Sequence, residues 1–571
     1  MTGEPSAFLD RLPAADVGRG TRILWGSGLV LLLAGFVGWG TGTFNGGILA
    51  LWCFAAATVA VCLVLPVSAA FVAPLFMGIA GWLVDMLPFI VLVGWTTVVL
   101  RWAWTVLRDR RLPRGGRWIW VPLALVGWTA LGITVIFASD FKHFLLLLGI
   151  QFLASGILLA VVDTLRELDA RIAVLEGLAV FIIVLSFGVF LEWVGVPIEE
   201  LQNEQIRGPV EDAYALDAFP NSIGMIKYAR STRAGAAELR QELERLADRN
   251  ERIPDFEVFL PKFETYEKQL IVRFSGSARS VESTLAEHDI VLLYDNVGVA
   301  PSNTVPRLRS FPRNALTYAG VCAALFPPAF WLAWSDARRR RWIGRVAVAA
   351  CLFGAGFSLA RGSWVAIALG ILYLLVDGVL PARRKLALVL AVVVGAGVLT
   401  AVYLIKYKVD PVTARAGGGG SIATRQGLYR DTLDSLRGVH LVLGYGTERS
   451  RSATGTSHEG SRYIPKAGTH STYLNYLFRT GVPGAILIVA LYLVAGLNAR
   501  ASARVRREPE AMLATLLAGA VVVAGAHAVI LSLYVEPIYT LSICLLLGLA
   551  TVTGVELGRS VLPWRTKTRT A

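Results

Sequence analysis

Three side chains of this sequence have the type and setting for polar chemistry at a membrane surface: Arg361, Arg425 and His470. Arg361 stands in the turn Ser358-Leu359-Ala360-Arg361-Gly362-Ser363-Trp364, between two apolar runs. A cation at the edge of hydrocarbon is costly unless it meets a partner, which makes it a ligand-binding candidate; a guanidinium reaching out to lipid headgroups is the structural alternative. Arg425 follows the glycine run Gly417 to Gly420 and reads as part of a short helix with Arg430. A guanidinium can grip diphosphate oxygens through two parallel hydrogen bonds, or it can be a solvated loop charge. Arg415 and Arg430 are weaker copies of the same signal. His470 opens an apolar run, with Ser471 and Tyr473 placed to orient it. A neutral imidazole there can take a proton from an attacking hydroxyl, although a histidine at a helix start is also commonly structural. Of the other histidines, His440 and His458 fall in the loop before His470 and are expected to be exposed. His527 lies inside an apolar segment, away from the face that carries Arg361, and reads as a packing histidine with a hydrogen-bond partner.

The elements that must position these groups are membrane spans. Over 571 residues, 55% are hydrophobic and 17% charged, and the mean hydropathy is +0.58. Such a chain is a polytopic membrane protein. Its net charge of +14 does not point to nucleic acid, because the basic residues cluster in short connections between apolar runs. All five cysteines (Cys53, Cys62, Cys322, Cys351 and Cys544) fall in apolar segments, so neither a disulfide frame nor a zinc site is expected. The amino terminus enters a full-length apolar run after Arg22 without a small-residue cleavage site, and reads as a retained first span.

Fourteen candidate spans begin near residues 23, 47, 67, 88, 118, 143, 172, 314, 343, 363, 385, 470, 510 and 537. Alternating sides from a cytoplasmic amino terminus puts twenty-six Lys/Arg in the connections of one face. The short connections of the other face carry only Lys142 and Arg361. That asymmetry predicts cytoplasmic termini and an external Arg361 turn. Two polar insertions then fall outside. Residues 195–313 hold 19 acidic and 15 basic residues and switch to the pattern of a soluble α/β module. Leu239, Leu243 and Leu246 line one face of a charged helix there, and residues 256–260, 270–272 and 290–293 read as strands. This module reads as a spacer or folding unit, or as an acceptor- or partner-binding unit. Residues 406–469 form a basic loop, with ten Lys/Arg against five Asp/Glu from Lys406 to Gly468. The expected architecture is an all-α polytopic membrane protein of about 12–14 transmembrane helices with an inserted extracytoplasmic α/β module. Its parts are an amino-terminal bundle (1–194), the module (195–313), helices flanking the Arg361 turn (314–405), the loop (406–469) and a carboxyl-terminal bundle with a basic tail (470–571).

The order of these elements resembles the O-antigen ligase and polymerase superfamily. In that family a Ser-Arg-Gly turn precedes a large external loop, and the next span is entered through His-x(3)-Leu-x(6)-Gly-x(2)-Gly. His470, Leu474, Gly481 and Gly484 match, while Ala360 replaces the usual serine. Arg309-Ser310-Phe311-Pro312-Arg313-Asn314 is similar to the segment that leads into the preceding span, so the resemblance runs from about Arg307 to Leu493. Fourteen spans exceed the dozen or so usual in the family, and the module is additional. The resemblance implies an enzyme of the bacterial cytoplasmic membrane that transfers a glycan from a polyprenyl-diphosphate carrier (undecaprenyl diphosphate) to a glycan or glycolipid acceptor on the outer face. It implies neither cofactor nor metal, and it makes Arg361 and Arg425 the diphosphate ligands, with His470 the base. Arg309, Arg415, Arg430 and Tyr473 become substrate-binding candidates. Ligase and polymerase remain alternatives. A transferase using polyprenyl-phosphate sugars would want an acidic residue in the first external loop, and Gly40 to Gly47 contains none. A flippase or transporter would want charges buried at mid-span or broken helices, and His527 comes nearest to that.

Overall fold

In a computed structural model the described residues are 19–41, 43–84, 86–114, 116–136, 141–194, 196, 223–228, 236–248, 256–259, 269–274, 282–295, 310–311, 315–407, 429–430, 432–433, 436–445, 471–530 and 536–555. Seven helices come first: α1 Arg19–Gly40, α2 Phe44–Val64, α3 Val67–Trp82, α4 Leu87–Arg108, α5 Trp120–Ile136, α6 Phe141–Thr164 and α7 Leu168–Trp193. They form because long apolar runs in hydrocarbon must satisfy every backbone group internally. They end where Pro66, the Thr41–Thr43 turn or an arginine-rich connection breaks the run. The carboxyl end of α2 is held from outside: Arg101 on α4 donates to the carbonyls of Cys62 (2.9 Å) and Leu65 (2.7 Å).

Four strands follow, β1 Ile223–Tyr228, β2 Phe256–Phe259, β3 Gln269–Phe274 and β4 Ile290–Asp295. α8 Ala236–Asp248 lies between β1 and β2, and α9 Glu282–Glu287 between β3 and β4. The sheet is antiparallel in the order β2-β3-β1-β4, which makes the unit a split β-α-β arrangement. Leu239, Leu243 and Leu246 of α8 are fully buried, as are Leu285 and Ile290. β1 sits in the middle of this sheet, although its sequence carried no strand expectation.

The remaining helices are α10 Ala315–Ala333, α11 Arg338–Phe357, α12 Arg361–Val376, α13 Ala382–Tyr407, the short α14 Val439–Leu443, α15 Thr472–Val505, α16 Glu510–Ile530 and α17 Pro537–Val555. Eleven of the fourteen expected span starts fall within one of these helices or α1 to α7, and the other three, near 118, 314 and 470, lie one or two residues ahead of α5, α10 and α15. Among the described residues, nine of the helices are long and apolar enough to cross a membrane. α3, α5, α6 and α12 contribute shorter apolar stretches, and α11 begins with four consecutive arginines. This is a multi-pass, predominantly helical membrane protein. α10 and α17 form its centre, buried along nearly their whole length, whereas α1 and α13 present most of their surface outward.

Two of the basic connections hold buried carboxylates. Asp163, buried at the end of α6, accepts both Nη groups of Arg111 (2.8 and 2.7 Å), the indole of Trp102 (2.9 Å) and the Arg114 amide (2.7 Å). Glu176 on α7 is 2% exposed and accepts Arg340 Nε of α11 at 2.5 Å. A buried carboxylate left without its cation loses more than the pair contributes net. Arg340→Ala should therefore destabilise the protein by about 3–5 kcal/mol, read as a lower unfolding temperature in detergent. Adding Glu176→Leu to it should recover most of that loss.

Candidate active site

α11 and α12 are joined by a turn too short to relax. Leu359 adopts a left-handed backbone (φ 51) while its side chain is buried. For a residue with a Cβ this costs on the order of 1–2 kcal/mol, so neighbouring bonds must hold it. They converge on one carbonyl: Ala355 accepts from Ser358 Oγ (3.0 Å) and from the Trp364 indole (2.8 Å). The turn delivers Arg361 as the first residue of α12, exposed. Ala360, at the N-cap, makes no side-chain capping bond.

α12 has two different faces. One carries Ser363, Ala366, Gly370 and Leu374 against α16; Gly370 and Gly519 are the points where the helices come closest, each leaving room only for a neighbour's side chain. The other face repeats at helical spacing from Arg361 through Trp364, Ala368, Ile371 and Leu375. These last four line an apolar groove of about 560 Å³ between α11, α12 and α13, whose far wall includes Val392 and Leu399. Arg361 therefore stands at the head of the groove's own stripe.

The buried face is fixed by a polar chain. Ser363 Oγ lies 3.1 Å from His527 Nε2, and His527 Nδ1 lies 2.9 Å from the Tyr539 hydroxyl of α17. His527 does have hydrogen-bond partners, as its position in an apolar segment suggested. It is not remote from Arg361, however: it sits in the last turn of α16, level with the first turn of α12. Sequence separation of 164 residues hid that proximity. α10 passes the pair at Gly320, where a Cβ would come within 2.6 Å of the imidazole and 2.7 Å of the Tyr539 ring.

The same turn of α16 holds the segment after His470. Ser471 caps α15, accepting the Leu474 amide, and Tyr473 donates its hydroxyl to the Gly525 carbonyl (3.2 Å) while meeting Tyr492 edge-on. Tyr473 is thus half-buried against α16, two residues from His527. α15 does not run straight into the membrane, as a single apolar run predicted. It breaks at Gly481 (φ 68), followed by Pro483, which has no amide hydrogen. Carbonyls freed by the break are used elsewhere: Phe478 O accepts the Tyr445 amide (2.7 Å) and Thr480 O the Trp128 indole of α5 (2.8 Å). Tyr445 in turn stacks between His440 (4.1 Å) and Phe478 (4.8 Å), and His440 Nδ1 contacts the Gly444 carbonyl at 3.0 Å. His440 is therefore partly buried and packed, not exposed as expected. Gly444 (φ 74) and Gly481 make this docking possible, since a Cβ on either would strike backbone across the interface, Arg479 in the first case and Val442 in the second.

Arg430 is exposed near the start of the described part of the loop. Arg309, Arg415, Arg425, His458 and His470 lie outside the described residues. Arg361 and Tyr473 are both described and are brought to one end of the bundle through α16.

Residues 346–489, from within α11 to within α15, match the family model described as O-antigen ligase. This match to an O-antigen ligase domain supports membership of the O-antigen ligase and polymerase superfamily. The matched O-antigen ligase segment contains the Arg361 turn, Arg425, His470 and the Gly481 break, and it leaves Arg309 and the β-sheet unit outside. No curated protein matches the chain. That family implies ligase- or polymerase-type glycosyl transfer as the class of activity. Sequence reasoning missed His527 and Gly481 as organising residues; the Gly481-Val-Pro-Gly484 run was the available signal for the break.

Two substitutions test this architecture. His527→Phe keeps the volume but strands the Ser363 and Tyr539 hydroxyls, and should cost about 1–3 kcal/mol in thermal unfolding, with His527→Gln falling between it and wild type. Gly481→Ala, at a positive φ facing the Val442 carbonyl, should cost about 1–3 kcal/mol and make the peptide around residues 439–445 more accessible to protease.

Proposed function

We propose that this chain is a membrane glycosyltransferase that moves a glycan from a polyprenyl diphosphate to an acceptor hydroxyl, at the extracytoplasmic face of the bacterial cytoplasmic membrane. The observation that carries the reading is the shared anchor of α16: the turn behind Arg361 and the segment behind His470 hang on residues 525–527 through Ser363 and Tyr473. Two chain segments 110 residues apart in the matched region are held at one end of the bundle.

On this reading Arg361 and Arg425 hold the diphosphate, assisted by the uncapped amides at the start of α12, a favourable place for an anion. The isoprenoid chain descends along the groove below Arg361, whose apolar lining is continuous with Trp364 and Ile371. His470 takes the proton of the acceptor hydroxyl as its oxygen attacks the anomeric carbon. The bond from that carbon to the diphosphate oxygen breaks, the polyprenyl diphosphate leaves with the electron pair, and the centre inverts. The two guanidinium groups stabilise the charge that grows on the leaving group, so the step needs no metal. Arg309, Arg415, Arg430 and Tyr473 border the donor or position His470. Residues 195–313 act as an extracytoplasmic α/β module that meets the glycan or glycolipid acceptor. Both termini are cytoplasmic, following the arginine asymmetry. The domain limits are those read from the sequence.

Removing one charge-stabilising group lowers turnover by about 10²–10³-fold, and removing a general base by about 10²–10⁴-fold. Arg361→Ala, Arg425→Ala and His470→Ala should each lose transfer on that scale in membranes while the protein remains present at wild-type level. Full transfer by the His470 variant removes the base from the scheme. Mass analysis of carrier-linked glycans in cells lacking the protein separates the two family activities: short units accumulate without a polymerase, long unattached chains without a ligase. Movement of labelled donor across the membrane with no new glycosidic bond would establish a transporter instead.

A further inference from the structure

At the opposite end of α11 from Arg361, a second cavity of about 430 Å³ opens between the end of α10 and the starts of α11 and α13. Four arginines line it, Arg341 and Arg345 from α11 and Arg383 and Arg384 from α13, against one carboxylate, Asp336. Its inner wall is apolar, with Phe330 and Trp334 of α10 and Val348 and Ala391 deeper in the membrane. Setting the sidedness of a span requires only that arginines reach water on one side. Arg384 does not: its side chain is 11% exposed and stacks over Trp334 at 5.8 Å. One Nη is committed to Glu508 at 2.8 Å, while its Nε is buried with no hydrogen-bond partner. A guanidinium kept largely out of water with a donor uncommitted is costly unless an acceptor arrives.

We propose that this cavity binds the phosphate headgroup of an anionic membrane lipid, in the leaflet opposite the transfer site. α11, with 20 residues, spans about 30 Å, which separates the two ends by the thickness of the hydrocarbon layer. The cavity therefore lies at headgroup depth. A phosphate diester satisfies the arginine fork, and its acyl chains continue along Val348, Ala391 and the outward-facing Leu390 and Val394 of α13. A water-soluble anion would use the arginines but leave that apolar wall unfilled. Occupancy ties the start of α13, a helix with little of its length buried, to α10 and α11.

The test uses the full chain, purified and presented with phosphatidylglycerol or phosphatidylcholine, with bound lipid counted by native mass spectrometry. Arg341→Gln/Arg345→Gln/Arg383→Gln leaves the Arg384–Glu508 pair in place. Wild type should retain phosphatidylglycerol over phosphatidylcholine, and each arginine removed should weaken retention roughly fivefold. Should the triple variant fail to fold, Arg345→Gln alone, at an exposed position, should show the single fivefold step. Equal retention of the two lipids, or unchanged phosphatidylglycerol retention in the variants, overturns the assignment. So does displacement of the lipid by inorganic phosphate at equal concentration, which would make this a site for a soluble anion.

Discussion

Everything at the Arg361 end of this protein depends on the last turn of one helix. α16 offers a carbonyl at Gly525 and an imidazole at His527, and the two take hold of α15 and α12 respectively. Inside a membrane these bonds have little competition from water, so a hydroxyl on α12 gains more from meeting His527 than it would on a wet surface. The site also has to be narrow. Gly320 on α10 lets the imidazole and Tyr539 lie against bare backbone, and the small residues Gly370 and Gly519 bring α12 and α16 close enough for Ser363, with the shortest hydroxyl side chain, to reach His527. The polar chain and the small-residue contacts are one design: either without the other leaves the hydroxyls unpaired or the helices apart.

A second constraint is the broken α15. Irregular backbone at membrane depth survives only where protein satisfies the freed groups. Here the substitutes for the missing helical bonds come from far away, Trp128 on α5 and Tyr445 beside α14. The break thus serves as an attachment point that pins a piece of the large loop onto the bundle. Ahead of the break, Tyr473 reaches the Gly525 carbonyl of α16.

The positions of the spans were readable from the sequence because hydrophobic runs of membrane length are a local signal, and the paired arginine connections marked their ends. The leucine stripe of α8 was local in the same way. What stayed hidden was long-range. His527 looked like an isolated histidine in an apolar segment because nothing in its neighbourhood records that Ser363, 164 residues away, lies across from it. β1, in Ile223-Gly-Met-Ile-Lys-Tyr228, mixes a glycine and a lysine into a short apolar run, and only its two neighbours in the sheet define it as a strand. The Gly481 break was hidden for another reason: glycine and proline are common in membrane helices without breaking them, so the pair became informative only once the Val442 carbonyl was seen to occupy the space a side chain would need.

α12 links these observations to function. A helix that buried all of its circumference could hold Arg361 firmly but offer no path for a lipid; one packed on neither side would leave Arg361 undirected. α12 resolves this by rotation. Residues at 363, 366, 370 and 374 fasten it to α16, and residues at 364, 368, 371 and 375 line the groove shared with α11 and α13, with Arg361 at the head of the same stripe. The two sets follow from one helical period, so any shift that loosened the Ser363 contact would also turn Arg361 away from the groove. The strained backbone at Leu359 acts in the same direction, because the Ser358 and Trp364 bonds to the Ala355 carbonyl leave the turn no other way to enter α12. The position of Arg361 on the helix stripe is thus set by contacts on the far side of its own helix.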